Sequence, residues 1–226
     1  MKVVLFDIDG TLIRSGGAGL EALLLALSEE FDVSDPQPVP VHGCTDQGIV
    51  RELFQTNGVG FSDDHWTRFM ERYLEHLKLR LGQNPGRVLP GVEDLLGPLQ
   101  AHDGVYLGLL TGNFQRGAEV KLNHFGLSHY FQGGGFGDHH PLRDDVARAA
   151  RQHVETELGQ TLDSEKLWIV GDTPADVQCG RAIGAQVLAV CTGGSPRDEL
   201  ARANPDLLVD DLTECQDWLM DVLGEA

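Results

Sequence analysis

Four carboxylic acids and one hydroxyl group are the side chains of this sequence best suited to chemistry. Asp7 and Asp9 stand on either side of a single residue, Asp172 and Asp176 lie close together much later, and Thr111 lies between these two pairs. Acids that pack together raise one another's pKa values unless a cation neutralises them. A ligand set made only of oxygen atoms favours Mg²⁺ over Zn²⁺, so these acids predict a Mg²⁺ site if the fold brings them together.

The acids and Thr111 follow apolar segments that are typical of buried strands. These segments are residues 3–6, 105–110 and 167–170, with further strands predicted at 186–190 and, more weakly, 206–209. Helix-period segments alternate with them, at residues 92–102, 118–125, 144–158, 175–183 and 213–223. This alternation predicts an α/β fold with a doubly wound parallel sheet. Ligands bind at the carboxyl ends of the strands in such sheets, so we expect the acids and Thr111 to meet there.

One long interval, residues 15–88, breaks this alternation. Its helix-like segments are residues 20–30, 46–55 and 63–81, and no convincing strand is predicted among them. We therefore predict an α/β core formed by residues 1–14 and 89–226, with an all-helical domain inserted directly after the first strand.

Three motifs resemble those of the haloacid dehalogenase superfamily, in its phosphatase branch. They are DIDGT at residues 7–11, Thr111 at the end of an apolar strand, and GDTPAD at residues 171–176, in the order that this family uses. The resemblance is to phosphoglycolate phosphatases in particular, and it implies a Rossmann-like core. It also identifies the insertion with the family's helical cap of the first type, which opens to admit substrate and closes to exclude water.

The resemblance implies a role for each acid. Asp7 resembles the nucleophile that attacks phosphorus to form an aspartyl-phosphate, and Asp9 resembles the acid that protonates the leaving alkoxide and then activates water. Asp172 resembles a ligand of Mg²⁺, beside Asp7 and the backbone carbonyl of Asp9. Asp176 is expected to complete or orient this metal site.

The phosphoryl oxygens are expected to bind at the loop that follows the second predicted strand. By the resemblance, Thr111 binds them together with Gly112, Asn113 and the backbone amides around Ile8. Considered alone, Thr111 is equally well explained as a helix N-cap.

The family also uses a cation, usually lysine, to bind the phosphate and hold the nucleophile in place. The lysines of this chain are Lys2, Lys78, Lys121 and Lys166. Lys2 and Lys166 precede their strands, and Lys121 lies late on the following helix, so we expect all three at the wrong end of the sheet. Lys78 belongs to the insertion.

Arg143 is the best-placed cation for this role. It lies in a loop after a possible weak strand near Tyr130 and before a predicted helix, where the family's lysine usually occurs. Our hypothesis is that Arg143 replaces the lysine, because a guanidinium can bridge a carboxylate and a phosphate. The alternative is an ion pair with Asp144 or Asp145 at the start of that helix.

Substrate specificity is expected to come from residues of the insertion that face the catalytic loops. His42, Gly43, Thr45 and Asp46 form a polar turn before a predicted helix, which suits such a position. A simple N-cap is the alternative explanation of this turn.

The charge of the chain argues against nucleic acids and anionic membranes as partners. Its 226 residues include 17 basic and 35 acidic ones, which gives a formal net charge of −18. The 4 cysteines form no C-x-x-C pair, no signal peptide is indicated, and no segment is apolar for long enough to cross a bilayer. We expect a cytoplasmic monomer or homodimer that binds a small phosphorylated metabolite.

Three functions remain open from the sequence. The leading interpretation is a Mg²⁺-dependent phosphatase that hydrolyses small phosphate monoesters through an aspartyl-phosphate. A phosphosugar mutase of the β-phosphoglucomutase type would share the cap and Asp9 but return the phosphoryl group to another hydroxyl. A non-catalytic binding protein that retains the fold is the third.

Overall fold

A six-stranded parallel sheet forms the centre of the protein in the computed structural model, which describes residues 1–224. The strands are β1 (Lys2–Phe6), β2 (Ile13–Arg14), β3 (Arg87–Val88), β4 (Val105–Leu110), β5 (Gly134–Gly135), β6 (Leu167–Gly171), β7 (Gln186–Val190) and β8 (Leu207–Val209). The helices are α1 (Ala18–Phe31), α2 (Asp46–Thr56), α3 (Asp63–Leu81), α4 (Val92–Ala101), α5 (Gln115–His124), α6 (Arg143–Leu158), α7 (Pro174–Ala182), α8 (Arg197–Arg202) and α9 (Gln216–Leu223). Short 3₁₀ turns cover Ser128–Tyr130, Ser164–Lys166 and Leu212–Glu214.

The sheet has the order β5-β4-β1-β6-β7-β8, and every pair of neighbouring strands is parallel. Side chains alternate between its two faces, as the period of a strand requires. In β1, Val4 and Phe6 belong to one hydrophobic cluster, and Val3 and Leu5 belong to another. Helices cover both faces, so the predicted doubly wound α/β fold is confirmed.

The edge strand β5 is where the sequence prediction was wrong. A weak strand was expected near Tyr130, but that residue ends a 3₁₀ turn, and the strand beside β4 consists of two glycines, Gly134 and Gly135. Glycine is depleted in strands, so no apolar pattern marks this position. A Cβ atom at Gly135 would lie 2.6 Å from the carbonyl oxygen of Val146, which explains why a glycine lies there.

Helices α1, α2 and α3 fill the interval between β2 and β3. They pack around a hydrophobic cluster of their own, in which Leu27, Phe54, Phe69 and Tyr73 are buried. The core contributes Phe114 to the same cluster, with its ring centroid 5.3 Å from that of Tyr73. The division of the chain at residues 14/15 and 88/89 stays a prediction.

The two ends of this interval are joined by a short antiparallel ribbon that the sequence did not predict. In the ribbon of β2 and β3, Ile13 faces Val88 and Arg14 faces Arg87. The chain therefore leaves and re-enters the core through two paired strands. None of the helices described is both long and apolar enough to cross a membrane.

Candidate active site

The carboxyl ends of β1, β4 and β6 lie side by side at one edge of the sheet. Phe6 at the end of β1 is in register with Leu109 of β4 and Val170 of β6, and the amide of Asp7 donates to the carbonyl of Val170 over 2.9 Å. The loops that follow these strands therefore start together. As the sequence predicts, Asp7, Asp9, Thr111 and Asp172 follow the strand ends directly, and Asp176 lies in the first turn of α7.

Three of the acids form a compact cluster. Asp7, Asp172 and Asp176 each offer a carboxylate oxygen, and these atoms all lie within 4.8 Å of one another. Their exposed fractions are 6%, 2% and 1%. Within residues 1–224 this is the one group of acidic, histidine or cysteine side chains with the spacing of a metal site.

The electrostatics of this cluster favour a bound cation. Burial raises the pKa of Asp7 to about 6, helped by Asp176 and Asp9 and opposed by Arg143. Burial likewise raises the pKa of Asp172 to about 8, with Asp176 and Asp7 adding to the shift. A divalent cation would offset this repulsion, and three buried carboxylates suit a hard cation that binds oxygen. The residues present therefore fit Mg²⁺.

Local backbone geometry holds Asp172 in position. The hydroxyl of Thr11 donates to an oxygen of Asp172 over 3.0 Å. Gly10 has a φ of +87°, in the left-handed region that favours glycine, and a Cβ atom there would lie 2.5 Å from Asp172 Oδ2. The glycine of the DIDGT motif therefore lets the first loop approach the second.

Asp176 is held by donors on both of its oxygens. Oδ1 accepts from Arg143 Nη2 over 2.5 Å, and Oδ2 accepts from the amide and the hydroxyl of Thr173 over 3.0 and 2.7 Å. Thr173 and Asp176 form a reciprocal capping box at the start of α7. With both oxygens engaged, Asp176 suits the orienting role better than that of a direct ligand.

Arg143 lies in the cluster and is buried. Its Nη2 atom is 3.0 Å from Asp7 Oδ1 as well as 2.5 Å from Asp176 Oδ1. Burial opposes its charge, but Asp176 and Asp7 outweigh this effect and raise the pKa of Arg143. Among the residues described, Arg143 pairs with Asp7 and Asp176 and not with Asp144 or Asp145, and Asp145 pairs with Arg148 instead.

Asp9 points away from the cluster towards a lysine that the sequence analysis misplaced. Lys121 was expected at the wrong end of the sheet, but its Nζ atom lies 2.5 Å from Asp9 Oδ2 and 2.6 Å from Asn113 Oδ1. Lys121 has an exposed fraction of 4%, while the side chain of Asp9 is 39% exposed. The side chain of Asp9 is thus outside the metal cluster, and its backbone carbonyl stays the predicted ligand.

The geometry of α5 explains why Lys121 reaches the site. The helix begins at Gln115, and a rise of 1.5 Å per residue puts Lys121 only about 9 Å along it. Helical side chains lean towards the N-terminus of their helix, which here is the catalytic edge. A long lysine side chain can therefore reach the strand ends even from the seventh residue of the helix.

The loop after β4 is organised by side chains that bond to one another. Asn113 donates to Thr111 Oγ1 from its backbone amide over 3.3 Å and from Nδ2 over 2.8 Å, and the same Nδ2 donates to Asp9 Oδ2 over 2.9 Å. The N-cap of α5 is Phe114, so Thr111 is not a helix cap. Asn113 therefore links Asp9 to Thr111 within this loop.

The polar turn of the insertion lies directly on this loop. The amide of Asp46 donates to the carbonyl of Gly112 over 2.7 Å, and Asp46 Oδ2 accepts from the amide of Phe114 over 3.0 Å. Burial raises the pKa of Asp46 to about 6, although Lys121 and the bond from Phe114 oppose the shift. Thr45 is the N-cap of α2, so the capping explanation holds for Thr45. Asp46 instead attaches the start of α2 to the loop after β4.

A cavity of about 670 Å³ lies between the core and the insertion. On the core side it is lined by Asp7, Asp9, Asn113, Lys121, Arg143 and Asp172. The insertion contributes Leu20, Leu23, Val41, His42, Ile49 and Tyr73. Of the predicted catalytic residues, Asp7, Asp9 and Arg143 therefore line one cavity with a mostly apolar wall from the helical domain, and Thr111 lies behind Gly112 and Asn113 outside the lining.

Comparison with known proteins identifies the family. The model of the haloacid dehalogenase-like hydrolases matches residues 4–190, which include all three motifs. The chain belongs to this family. This match confirms three predictions: membership of the haloacid dehalogenase superfamily, its fold and a hydrolase activity. The role of each site residue stays a prediction.

Individual relatives cover nearly the whole chain. A phosphoglycolate phosphatase of Rhodospirillum rubrum is 29% identical over 232 residues, which covers 96% of this haloacid dehalogenase-like chain and 90% of the relative. A crystal structure described as a predicted phosphoglycolate phosphatase, from Haemophilus somnus, is 22% identical with a TM-score of 0.71, covering 96% and 97% of the two chains. CbbY of Rhodobacter sphaeroides, in complex with phosphate, is 15% identical with a TM-score of 0.76 and covers 96% of each chain. At these identities, the two structural matches establish the fold alone.

Proposed function

We propose that this haloacid dehalogenase-like hydrolase is a Mg²⁺-dependent phosphatase that cleaves small phosphate monoesters, as phosphoglycolate phosphatases do, through an aspartyl-phosphate on Asp7. One observation carries the proposal. Asp7 and Asp9 lie on one loop, but Asp7 faces Arg143 and the acid cluster while Asp9 faces Lys121. This difference in surroundings supports nucleophilic attack by Asp7 and proton transfer by Asp9.

In the first step, a carboxylate oxygen of Asp7 attacks phosphorus as the bond between phosphorus and the ester oxygen breaks. The leaving alkoxide takes a proton from Asp9 and departs as an alcohol, and Asp9 remains as a carboxylate beside Lys121. In the second step, Asp9 takes a proton from water while the water oxygen attacks the aspartyl-phosphate. Inorganic phosphate leaves, and Asp7 is regenerated.

Arg143 and the loop after β4 would hold the phosphoryl group during both steps. Arg143 already contacts Asp7, and its Nε is buried with no hydrogen-bond partner among the residues described. A buried donor without a partner is costly, so a phosphoryl oxygen would satisfy it. Thr111 and the backbone amides of Gly112 and Asn113 are the further proposed contacts.

Asp7, Asp172 and the backbone carbonyl of Asp9 would hold Mg²⁺, with Asp176 orienting the site. When bound, the ion would screen the repulsion between the anionic nucleophile and the anionic substrate. The buried acid cluster supports this assignment, because its carboxylates repel one another.

Release of phosphate from a panel of esters tests the proposal. The panel contains 2-phosphoglycolate, ethyl phosphate and several sugar phosphates, each assayed with Mg²⁺ and with EDTA. We expect turnover with Mg²⁺ only, and a loss of at least about 10³-fold in Asp7→Asn, because the nucleophile is removed. The matched control is Asp103→Asn, since Asp103 is exposed and lies before the amino end of β4, at the edge of the sheet opposite the acids.

Two outcomes would replace the proposal with another function. Turnover of a sugar phosphate that requires a catalytic amount of its bisphosphate, with no net release of phosphate, would indicate the mutase. Binding of the esters without turnover of any of them would indicate a non-catalytic protein. An enzyme equally active in EDTA would contradict the metal requirement.

A further inference from the structure

Two arginines face each other where the chain enters and leaves the helical insertion. Arg14 of β2 and Arg87 of β3 are directly opposed in the antiparallel register, and both are exposed. Opposed residues of such a pair lie on the same face of the ribbon, and like charges in this position destabilise it. The ribbon has only two residues per strand, so an unfavourable pair there calls for an explanation.

Neither guanidinium is neutralised by an acid within residues 1–224. Arg14 donates from Nε and Nη2 to the carbonyl oxygen of Thr192, over 3.2 and 2.8 Å, and the side chain of Arg87 makes no hydrogen bond within the same residues. Most of the other arginines pair with a carboxylate. A chain with 35 acidic and 17 basic residues offers many such partners, so two adjacent unpaired arginines are unusual.

Both arginines line the cavity that contains Asp7. The other strong cations of its wall are engaged, since Lys121 binds Asp9 and Arg143 binds Asp7 and Asp176. Arg143 is proposed to bind the phosphoryl group through its remaining donor, so Arg14 and Arg87 are the positive charges of the cavity that are left for a second anionic group.

Arg14 is also fixed to the catalytic core. Its acceptor Thr192 donates from its hydroxyl to the carbonyl of Gly10 over 2.6 Å, and Gly10 approaches Asp172 closely. Arg14 therefore keeps its position relative to the acid cluster through the core, and Arg87 is held next to it by the pairing of β2 with β3.

We propose that Arg14 and Arg87 form an anion subsite that binds a second negatively charged group on the leaving-group side of the substrate. This inference rests on the proposed phosphatase function and adds the class of its substrates: phosphate monoesters that carry another carboxylate or phosphate. A guanidinium presents its N–H donors as a fork that matches the oxygens of either group. Their exposure to solvent limits the contribution of each arginine, because screened ion pairs are weak.

Kinetics on matched esters tests the subsite. One pair is 2-phosphoglycolate and ethyl phosphate, which differ by a carboxylate, and the other is fructose 1,6-bisphosphate and fructose 1-phosphate, which differ by a phosphate. In Arg87→Gln we expect the ratio of kcat/KM within the preferred pair to fall about tenfold, through KM. Arg14→Gln/Arg87→Gln is expected to abolish the preference, and the pair that responds identifies the second group.

Arg116→Gln is the matched control, because Arg116 is an exposed arginine outside the cavity wall. Its ratio is expected to equal that of the parent. Equal losses on both members of each pair in Arg87→Gln, or no loss on any of them, would overturn the subsite. Midpoints of thermal unfolding confirm that the variants fold.

Calorimetric binding to Asp7→Asn separates this inference from the proposed function. If the parent hydrolyses no ester, the phosphatase proposal fails. The subsite still stands if Asp7→Asn binds the doubly anionic ester about tenfold more tightly than its partner and Asp7→Asn/Arg87→Gln does not. Equal binding of both partners by Asp7→Asn would overturn it.

Discussion

Asp7 and Asp9 have the same side chain and lie one residue apart, but they contact different groups. Asp7 is buried among Asp172, Asp176 and Arg143, whereas Asp9 is partly exposed and bonded to Lys121 and Asn113. Residues i and i+2 of a regular strand share a face, so strand geometry alone would put both acids on one side. They diverge because the chain turns directly after β1, where the amides of Leu12 and Ile13 donate to the carbonyl of Ile8 over 2.9 and 3.1 Å. Their chemical difference comes from these surroundings.

Lys121 is predicted to act on catalysis through the position of Asp9. In Lys121→Met, Asp9 loses its cationic partner, and protonation of a leaving alkoxide should slow by about 10²-fold, the usual size of a general-acid effect. Single-turnover release of the alcohol from ethyl phosphate measures this step. p-Nitrophenolate leaves without a proton, so its release from p-nitrophenyl phosphate should change much less.

The pattern across the two esters separates positioning from a structural role. A general loss of structure at the site would slow both esters alike, and such a result would contradict the prediction. Lys121→Arg, which keeps the charge, should recover part of the rate on ethyl phosphate. Lys78→Met is the control, because Lys78 lies on α3 and the cavity wall does not include it.

At the scale of elements, the start of α2 connects the insertion to the catalytic loop. Gly112 makes this contact possible, since a Cβ atom there would lie 2.2 Å from the carbonyl oxygen of Cys44. Asp46 then bonds to the loop through both its amide and its carboxylate. The loop that is proposed to bind phosphate is therefore also a surface that the helical domain contacts.

Removal of the Asp46 carboxylate is predicted to weaken the contact between the start of α2 and the loop after β4. Asp46→Ala leaves the buried amide of Phe114 without an acceptor, which costs about 1–3 kcal/mol. We expect KM to rise by about tenfold or more and amide hydrogen exchange in the peptide containing Phe114 to become faster. Asp46→Asn retains an acceptor oxygen and should lie between Asp46→Ala and the parent. Unchanged exchange in Asp46→Ala would contradict a docking role.

The sequence predicted the long elements because their patterns extend over several residues. The strands at residues 105–110 and 186–190 and the helix at residues 63–81 have the predicted bounds. The two-residue strands β2, β3 and β5 were missed, because their pairing is decided by partners elsewhere in the chain. The site shows the same difference. Local motifs predicted the acids, whereas the contact between Lys121 and Asp9 depends on the direction of a helical side chain and was missed.

At the scale of the whole molecule, the buried acids should make stability depend on pH and Mg²⁺. The pKa of Asp172 is raised to about 8 and that of Asp7 to about 6, mainly by burial. A raised pKa means that the folded state holds its proton more tightly than the unfolded state. The resulting stability is complete below the unfolded pKa near 4 and is lost as the pH rises through about 6 and then about 8.

In EDTA, the midpoint of thermal unfolding should therefore fall between pH 6 and pH 8.5, by roughly 5–10 °C for a chain of this length. Measurement in 0.5 M KCl screens the repulsion expected from the net charge of −18, while the buried cluster is screened much less. Mg²⁺ binds the deprotonated carboxylates, so it should raise the midpoint more at pH 8.5 than at pH 6. Asp172→Asn should reduce both the pH dependence and the Mg²⁺ effect, whereas Asp103→Asn should change neither. A midpoint in EDTA that stays constant or rises over this range would show that the cluster is not held protonated by burial.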